Sequence, residues 1–250
     1  MSDEILYEMK GEVAVITLNR PERRNVVNTA MRDGVLAAWK RFDGDPAARV
    51  AILTAAGDKA FCAGRDLGEA ASGHGHGFIP ILRDAVSVAK PVIAAVNGAA
   101  LGGGCFMAIS CDLCVAAEHA TFALTEARIG RAPIYAFLLN GAVPQKVALE
   151  MAMTGNPIGA QRAYELGLVN HVVPAAQLMD KALALAADLC AAAPLSVAAT
   201  KAMIYETAGL KPEAALTAAL ARFKPVFESE DAMEGMRAFR ERRRPQWKGR

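Results

Sequence analysis

The run Lys90-Pro91-Val92-Ile93-Ala94-Ala95-Val96-Asn97-Gly98-Ala99-Ala100-Leu101-Gly102-Gly103-Gly104 constrains the fold more than any other stretch of the chain. Pro91–Val96 is short and wholly apolar and reads as a buried strand. Asn97-Gly98 signals a turn, and Gly102–Ser110 is most simply a helix opening on three glycines. Similar alternation recurs along the chain. Glu12–Asn19 is a β-rich run ended by Arg20-Pro21. Thr29–Phe42 spaces Met31, Val35, Ala38, Trp39 and Phe42 at helical intervals, with Thr29 as the candidate cap, and Asp43-Gly44-Asp45-Pro46 closes it. Val50–Thr54 and Leu113–Ala116 read as further strands. From about residue 144 helices dominate, apart from a short Leu168–Val173 segment. The expectation is an α/β core followed by a helical C-terminal part.

Composition limits what such a chain can do. With 250 residues, 53% hydrophobic and 22% charged, it can bury a substantial core and is neither disordered nor a small disulfide scaffold. The net charge is only +2, but its distribution is uneven. Arg237, Arg240, Arg242, Arg243, Arg244, Lys248 and Arg250 face Glu241 alone, which leaves the last fourteen residues at +6 and the remainder at −4. A mildly acidic body with few aromatics among the basic residues excludes a wholly basic nucleic-acid binder. The acidic opening Met1-Ser2-Asp3-Glu4 is unlike a secretory signal, and the alanine-rich run Ala182–Ala193 contains Asp188 and is too short for a membrane span. Five cysteines in apolar surroundings predict reduced core residues and a cytoplasmic protein. Cys111 and Cys114 form a CxxC pair without a second pair or nearby histidines, so no metal is expected there.

Neither glycine-rich run matches a dinucleotide-binding motif. Gly102-Gly103-Gly104-Cys105-Phe106-Met107 and Gly73-His74-Gly75-His76-Gly77-Phe78 both lack the last glycine of GxGxxG. There is no GxxxxGK[ST] loop and no GxSxG elbow. Two loop-to-helix junctions remain, Phe61-Cys62-Ala63-Gly64-Arg65-Asp66-Leu67 and Ala100-Leu101-Gly102-Gly103-Gly104. Two such junctions can converge their N–H groups on one carbonyl oxygen, or their glycines can serve close packing alone. Spacing by itself leaves both readings open.

Three motifs taken together resemble a family. They are Asn19-Arg20-Pro21-Glu22-Arg23-Arg24-Asn25-Val26-Val27-Asn28, Ala60-Phe61-Cys62-Ala63-Gly64-Arg65-Asp66-Leu67, and the run from Lys90 to Gly104. Their order and spacing resemble the enoyl-CoA hydratase/isomerase, or crotonase, family. The resemblance continues through Cys111-Asp112-Leu113, Gly155, Gly167-Leu168-Val169 and Ser229-Glu230-Asp231. It implies an α/β spiral of ββα units over residues 1–195 and a helical region over 196–250 that mediates trimers or hexamers. It also implies acyl-CoA thioester substrates, in fatty-acid-type metabolism, with coenzyme A entering as part of the substrate and no separate cofactor, nucleic acid or membrane.

By motif position the resemblance makes the backbone N–H groups of Arg65 and Gly103 an oxyanion hole and Glu126 the acid/base. The hydratases of the family carry a second glutamate, at the position that is Phe106 here. One carboxylate suffices for moving a double bond, so the pattern resembles the family's isomerases more than its hydratases, and a binding member with weak chemistry is the alternative. Phe106 is expected to raise the pKa of Glu126 by making the pocket apolar, unless Arg128 and Arg131 face inward. Without the resemblance, Glu126 after Thr125 reads as a solvated carboxylate at a helix start. Arg24, Arg242 and Phe239 are candidates for CoA phosphates and adenine, and Ala63, Asp66, Leu67 and Phe106 for the substrate channel. For Asp66, stabilising the turn is the competing role. Tyr135 and Phe137 are candidate wall residues, and the His74/His76 segment reads as a lid.

Overall fold

The computed structural model describes residues 3–69 and 77–250. A hairpin opens the chain: β1 (Ile5–Lys10) pairs antiparallel with β2 (Val13–Leu18) through Gly11, at φ +61°. β1 alternates buried and exposed residues, as an edge strand does, whereas β2 is buried almost throughout. The helix α1 (Thr29–Gly44) follows. Its cap is Asn28 rather than Thr29, because the Asn28 side chain accepts the Met31 N–H at 2.8 Å.

The chain then winds as a spiral. β3 (Val50–Ala55), β5 (Val92–Val96) and β7 (Leu113–Ala117) enter a six-stranded sheet of order β1-β2-β3-β5-β7-β10, completed by β10 (His171–Val173). β4 (Ala60–Cys62), β6 (Ala99–Leu101) and β8 (Thr121–Ala123) enter a second sheet of order β4-β6-β8-β9, with β9 (Ile158–Gly159) at its end. Each turn thus places one strand in each sheet. The three-residue strands escape sequence patterning because they are too short to show a period.

Both faces of the larger sheet are covered, which is why its central strands are apolar apart from the buried Thr54. Leu53, Val92, Ala94 and Ala116 pack with Trp39 and Phe42 of α1 and with α2 (Gly103–Ser110). On the opposite face Ile52, Ile93, Ala95 and Val115 pack under Leu178, Ala182 and Ala186 of α5 (Leu178–Ala191). Fully burying each such branched side chain contributes about 1.5–3 kcal/mol. Between these lie α3 (Gln145–Thr154) and α4 (Ala160–Glu165).

Three helices end the chain: α6 (Pro194–Thr207), α7 (Pro212–Phe227) and α8 (Glu230–Glu241). α6 buries only Ala199, and α7 buries no residue. No single described helix is long and apolar enough to cross a membrane.

Candidate active site

β4 carries the first arm of the site. Beyond Cys62 the chain stays extended and forms a parallel bridge between Arg65 and Val27. The Val27 N–H donates to the Gly64 carbonyl at 2.8 Å, and the Asp66 N–H to the Val27 carbonyl at 2.9 Å. Strand alternation therefore turns the N–H of Arg65 toward the opposite edge. That edge faces the second arm: a Cβ on Gly64 would lie 3.1 Å from the Leu101 carbonyl oxygen and 3.4 Å from the Gly103 nitrogen. Among the described residues no helix follows this junction directly, since residues 67–69 form a turn. Here the N–H is aimed by strand geometry, not by a helix end.

β6 carries the second arm, and here the helix is present. Gly102 caps α2 at φ +52°, and Gly103 is its first residue, so the Gly103 N–H has no acceptor within the helix. The three glycines have three different reasons. A Cβ on Gly102 would meet Oε1 of Glu126 at 3.1 Å; one on Gly103 would meet Ile79 at 2.6 Å; one on Gly104 would meet the Cys62 carbonyl oxygen at 2.1 Å. Close packing and N–H presentation are thus the same feature, because packing this tight is what brings the two arms together.

Glu126 sits just after β8 on a short 3₁₀ turn, Thr125–Ile129, closed by Gly130 at φ +65°. It is not a solvated helix-start carboxylate. Its Oε2 is buried without a hydrogen-bond partner, and desolvation raises its pKa. Phe106, only 2% exposed, lines the same pocket and packs edge-on against Tyr135, with ring centroids 5.5 Å apart. Arg128 does not oppose the shift: it turns outward and donates to the Thr154 carbonyl and to Asn156. Arg131 lies in the pocket wall.

The pocket encloses about 410 Å³. It brings together Ala63, Arg65, Leu67, Gly103, Phe106 and Glu126 of the sequence candidates, and adds Phe78, Ile79, Ile129 and Ile134. The Tyr135 hydroxyl donates to Asp84 at 2.7 Å and accepts the Gly77 N–H at 2.9 Å, which fastens the 77–84 segment to this wall. The Arg65 guanidinium stacks over Phe78 at 4.2 Å from the ring centre. The added residues are apolar side chains with no chemical group to mark them in the sequence.

Other candidates lie elsewhere. Asp66 faces away from the pocket, paired with Arg20 at 3.4 Å and accepting the Gly68 N–H at 3.1 Å, the turn-stabilising role. Arg24 is exposed beside the first arm, its carbonyl accepting the Ala63 N–H at 3.0 Å. Phe137 is exposed rather than in the wall. Phe239 and Arg242 lie on and just after α8, outside the pocket, and Phe239 is 86% exposed. Four of the seven cations of the basic tail are paired locally: Arg237 and Arg243 with Glu234, and Lys248 and Arg250 with Glu230. Those contacts hold the Glu234 carboxyl well below the usual carboxylate range. His74 and His76 lie outside the described residues. Among the described residues no cluster of metal-ligating side chains occurs.

Comparison with known proteins agrees with this architecture. Carnitinyl-CoA dehydratase from Escherichia coli (strain K12) is 40% identical to this chain, and the match covers both proteins fully. The corresponding protein from Proteus mirabilis (strain HI4320) is 39% identical, again over both full lengths. The crystal structure of an enoyl-CoA hydratase from Mycobacterium tuberculosis H37Rv superposes with a TM-score of 0.91 at 41% identity, covering 99% of each chain. An enoyl-CoA hydratase from Bacillus anthracis gives 0.91 at 32% identity, covering 99% of this chain and 100% of the other. The family profile described as enoyl-CoA hydratase/isomerase matches residues 8–250. With this fold and these matches over its whole length, the chain belongs to the enoyl-CoA hydratase/isomerase family, and its α/β spiral is the crotonase fold.

Proposed function

We propose that the protein moves a proton at the carbon beside the carbonyl of an acyl-CoA thioester, with Glu126 as acid/base and the N–H groups of Arg65 and Gly103 as donors to the thioester oxygen. The observation that carries this reading is Oε2 of Glu126, buried without a partner in the pocket lined by both arms. Such an atom is costly to keep unless a substrate meets it. Removing the proton puts negative charge on the thioester oxygen, and fixed N–H dipoles stabilise it without reorganising. Losing one such donor costs about 2.7–4 kcal/mol of barrier.

The relatives named carnitinyl-CoA dehydratase support loss or addition of water. The Glu126 carboxylate takes the C2 proton of a 3-hydroxyacyl thioester, and the enolate forms at the two donors. Hydroxide leaves C3 with the proton that Glu126 returns, giving water and the 2-enoyl thioester. Phe106 favours a second reading, because Glu126 is the one carboxylate among the described pocket residues. In that reading Glu126 takes the C2 proton of a 3-enoyl thioester and returns it at C4. Neither route needs a resident cofactor, and coenzyme A arrives with the substrate.

Arg24 is suited to a CoA phosphate, and Arg242 with Phe239 to the phosphate and adenine end. The exposed Leu216, Leu220 and Phe227 of α7 and Met233, Met236 and Phe239 of α8 support a homotrimer or hexamer in which copies of this chain cover one another's helical regions. Free cysteines, four of them buried, support a cytoplasmic setting.

Purified protein assayed on 3-hydroxyacyl-, 2-enoyl- and 3-enoyl-CoA separates the readings. Water exchange between the first two supports the dehydratase route, and conversion of the third alone supports isomerisation. Acyl-CoA binding without turnover of any of them removes the enzymatic reading. Glu126→Gln lowers kcat about 1,000-fold while acyl-CoA binding persists; an unchanged kcat removes Glu126 from the mechanism. Because the base must be ionised, kcat/KM falls as pH drops through the raised pKa of Glu126. The acid limb therefore lies above the ordinary glutamate value of about 4.3.

A further inference from the structure

The same pocket holds a cation that the proton-transfer chemistry does not use. Arg131 follows Gly130, which ends the 3₁₀ turn carrying Glu126, and its N–H donates to the Glu126 carbonyl at 2.9 Å. This short connection puts Arg131 in the wall that Glu126 also lines. Its guanidinium makes no ion pair or hydrogen bond among the described residues, whereas Arg128, three residues earlier, is held by Thr154 and Asn156. Arg131 is exposed at the pocket wall, and the lining that Arg131 and Glu126 share includes the apolar Phe106, Ile129, Ala132 and Ile134. A second guanidinium, that of Arg65, stacks on Phe78 in the same pocket.

An apolar stretch with a guanidinium in its wall suits one kind of acyl chain. Methylene groups fill the apolar part, and an anionic terminus meets the planar fork of Arg131, which matches a carboxylate with two parallel hydrogen bonds. A cationic terminus would meet like charge there. We infer that the pocket selects acyl-CoA thioesters whose acyl group ends in a carboxylate, with Arg131 as the residue that sets this preference. The inference rests on the acyl-CoA reading above and deepens it by naming the substrate class.

Binding tests it without requiring turnover. Calorimetry compares glutaryl- and adipyl-CoA with pentanoyl-CoA, hexanoyl-CoA and 4-trimethylammoniobutyryl-CoA, in the full-length protein and in Arg131→Gln and Arg131→Lys. The dicarboxylic thioesters bind about tenfold more tightly than the neutral ones, and the cationic one binds most weakly. Arg131→Gln collapses the ratio of anionic to neutral affinity toward one, and Arg131→Lys restores part of it. A ratio near one in the unmodified protein overturns the inference and leaves the acyl-CoA reading standing. A loss in Arg131→Gln that is equal for anionic and neutral thioesters also overturns it, since Arg131 would then serve the shared CoA portion. Failure of every thioester to bind overturns the acyl-CoA reading and the inference with it.

Discussion

Around Gly102, Gly103 and Gly104 a single added methyl group would crowd a neighbour at 3.1, 2.6 and 2.1 Å, whereas along α7 no side chain is buried at all. The contrast is not one of composition. α5 and α7 are both rich in alanine and leucine, yet Leu178, Ala182 and Ala186 of α5 lie under the large sheet while Leu216 and Leu220 of α7 are about 60% exposed. The glycine floor is specified by contacts within the chain, with the side chains of Glu126 and Ile79 and with the Cys62 backbone, and its tolerance for change is smallest where the neighbour is main chain. The helical end leaves Leu216, Leu220, Phe227, Met233 and Met236 exposed, and its pairing of acids with bases holds it together locally.

The contrast is broken most directly at Gly104. Its Cβ would fall 2.1 Å from the backbone carbonyl oxygen of Cys62, so Gly104→Ala forces two main-chain segments apart. A loss of about 3 kcal/mol in urea unfolding is expected; a loss below about 1 kcal/mol would mean that the floor is softer than its contacts imply. Gly102→Ala is milder for folding and specific for chemistry. Its φ of +52° and the 3.1 Å approach of Glu126 Oε1 predict a stability loss of about 1–2 kcal/mol. Displacing the carboxylate lowers kcat about 100-fold, measured on protein shown to be folded by circular dichroism.

At the helical end the sharpest handle is pH. Glu234 accepts from Arg243, the Gln246 N–H and Arg237, and its folded pKa is depressed. The stability it contributes is therefore present above the unfolded value of about 4.3 and is lost as pH falls below it toward the depressed value. Tm measured against pH should fall more steeply below pH 4 in the unmodified protein than in Glu234→Gln; parallel curves would sink this assignment. The smallest folding effect is expected from Leu220→Lys, within about 0.5 kcal/mol for the isolated chain. Light scattering should nevertheless report a lower mass at equal concentration, and an unchanged mass would show that α7 is not a covered face.

How much of this was legible depended on the range of the deciding contact. β2, β3, β5 and β7 were readable because a strand covered on both faces is almost continuously apolar, broken here only by Thr17 and Thr54. β4, β6 and β8 were not, because three residues carry no period and exist only through their lateral pairing. The cap of α1 was misplaced by one residue, since Asn28 and Thr29 are both capable acceptors and only the Met31 contact distinguishes them. Glu126 stood between two local readings until the fold set it against Gly102, more than twenty positions earlier in the chain. The +6 tail was visible as composition, but the pairing of Arg243, Lys248 and Arg250 with Glu234 and Glu230 depended on how the chain after α8 folds back.

By itself the sequence determined the alternation of buried strands and helices and the glycines at the two junctions, and the family resemblance of its motifs singled out Glu126 and Phe106. Tertiary structure alone decided which backbone groups face each other, which arginines enter the pocket, and which apolar helix remains uncovered. The physical reason is that strand and helix formation follow from periodic burial along neighbouring residues. Convergence of an N–H, a carboxylate and a guanidinium depends instead on close approaches between segments distant in the chain, and no local pattern encodes those distances.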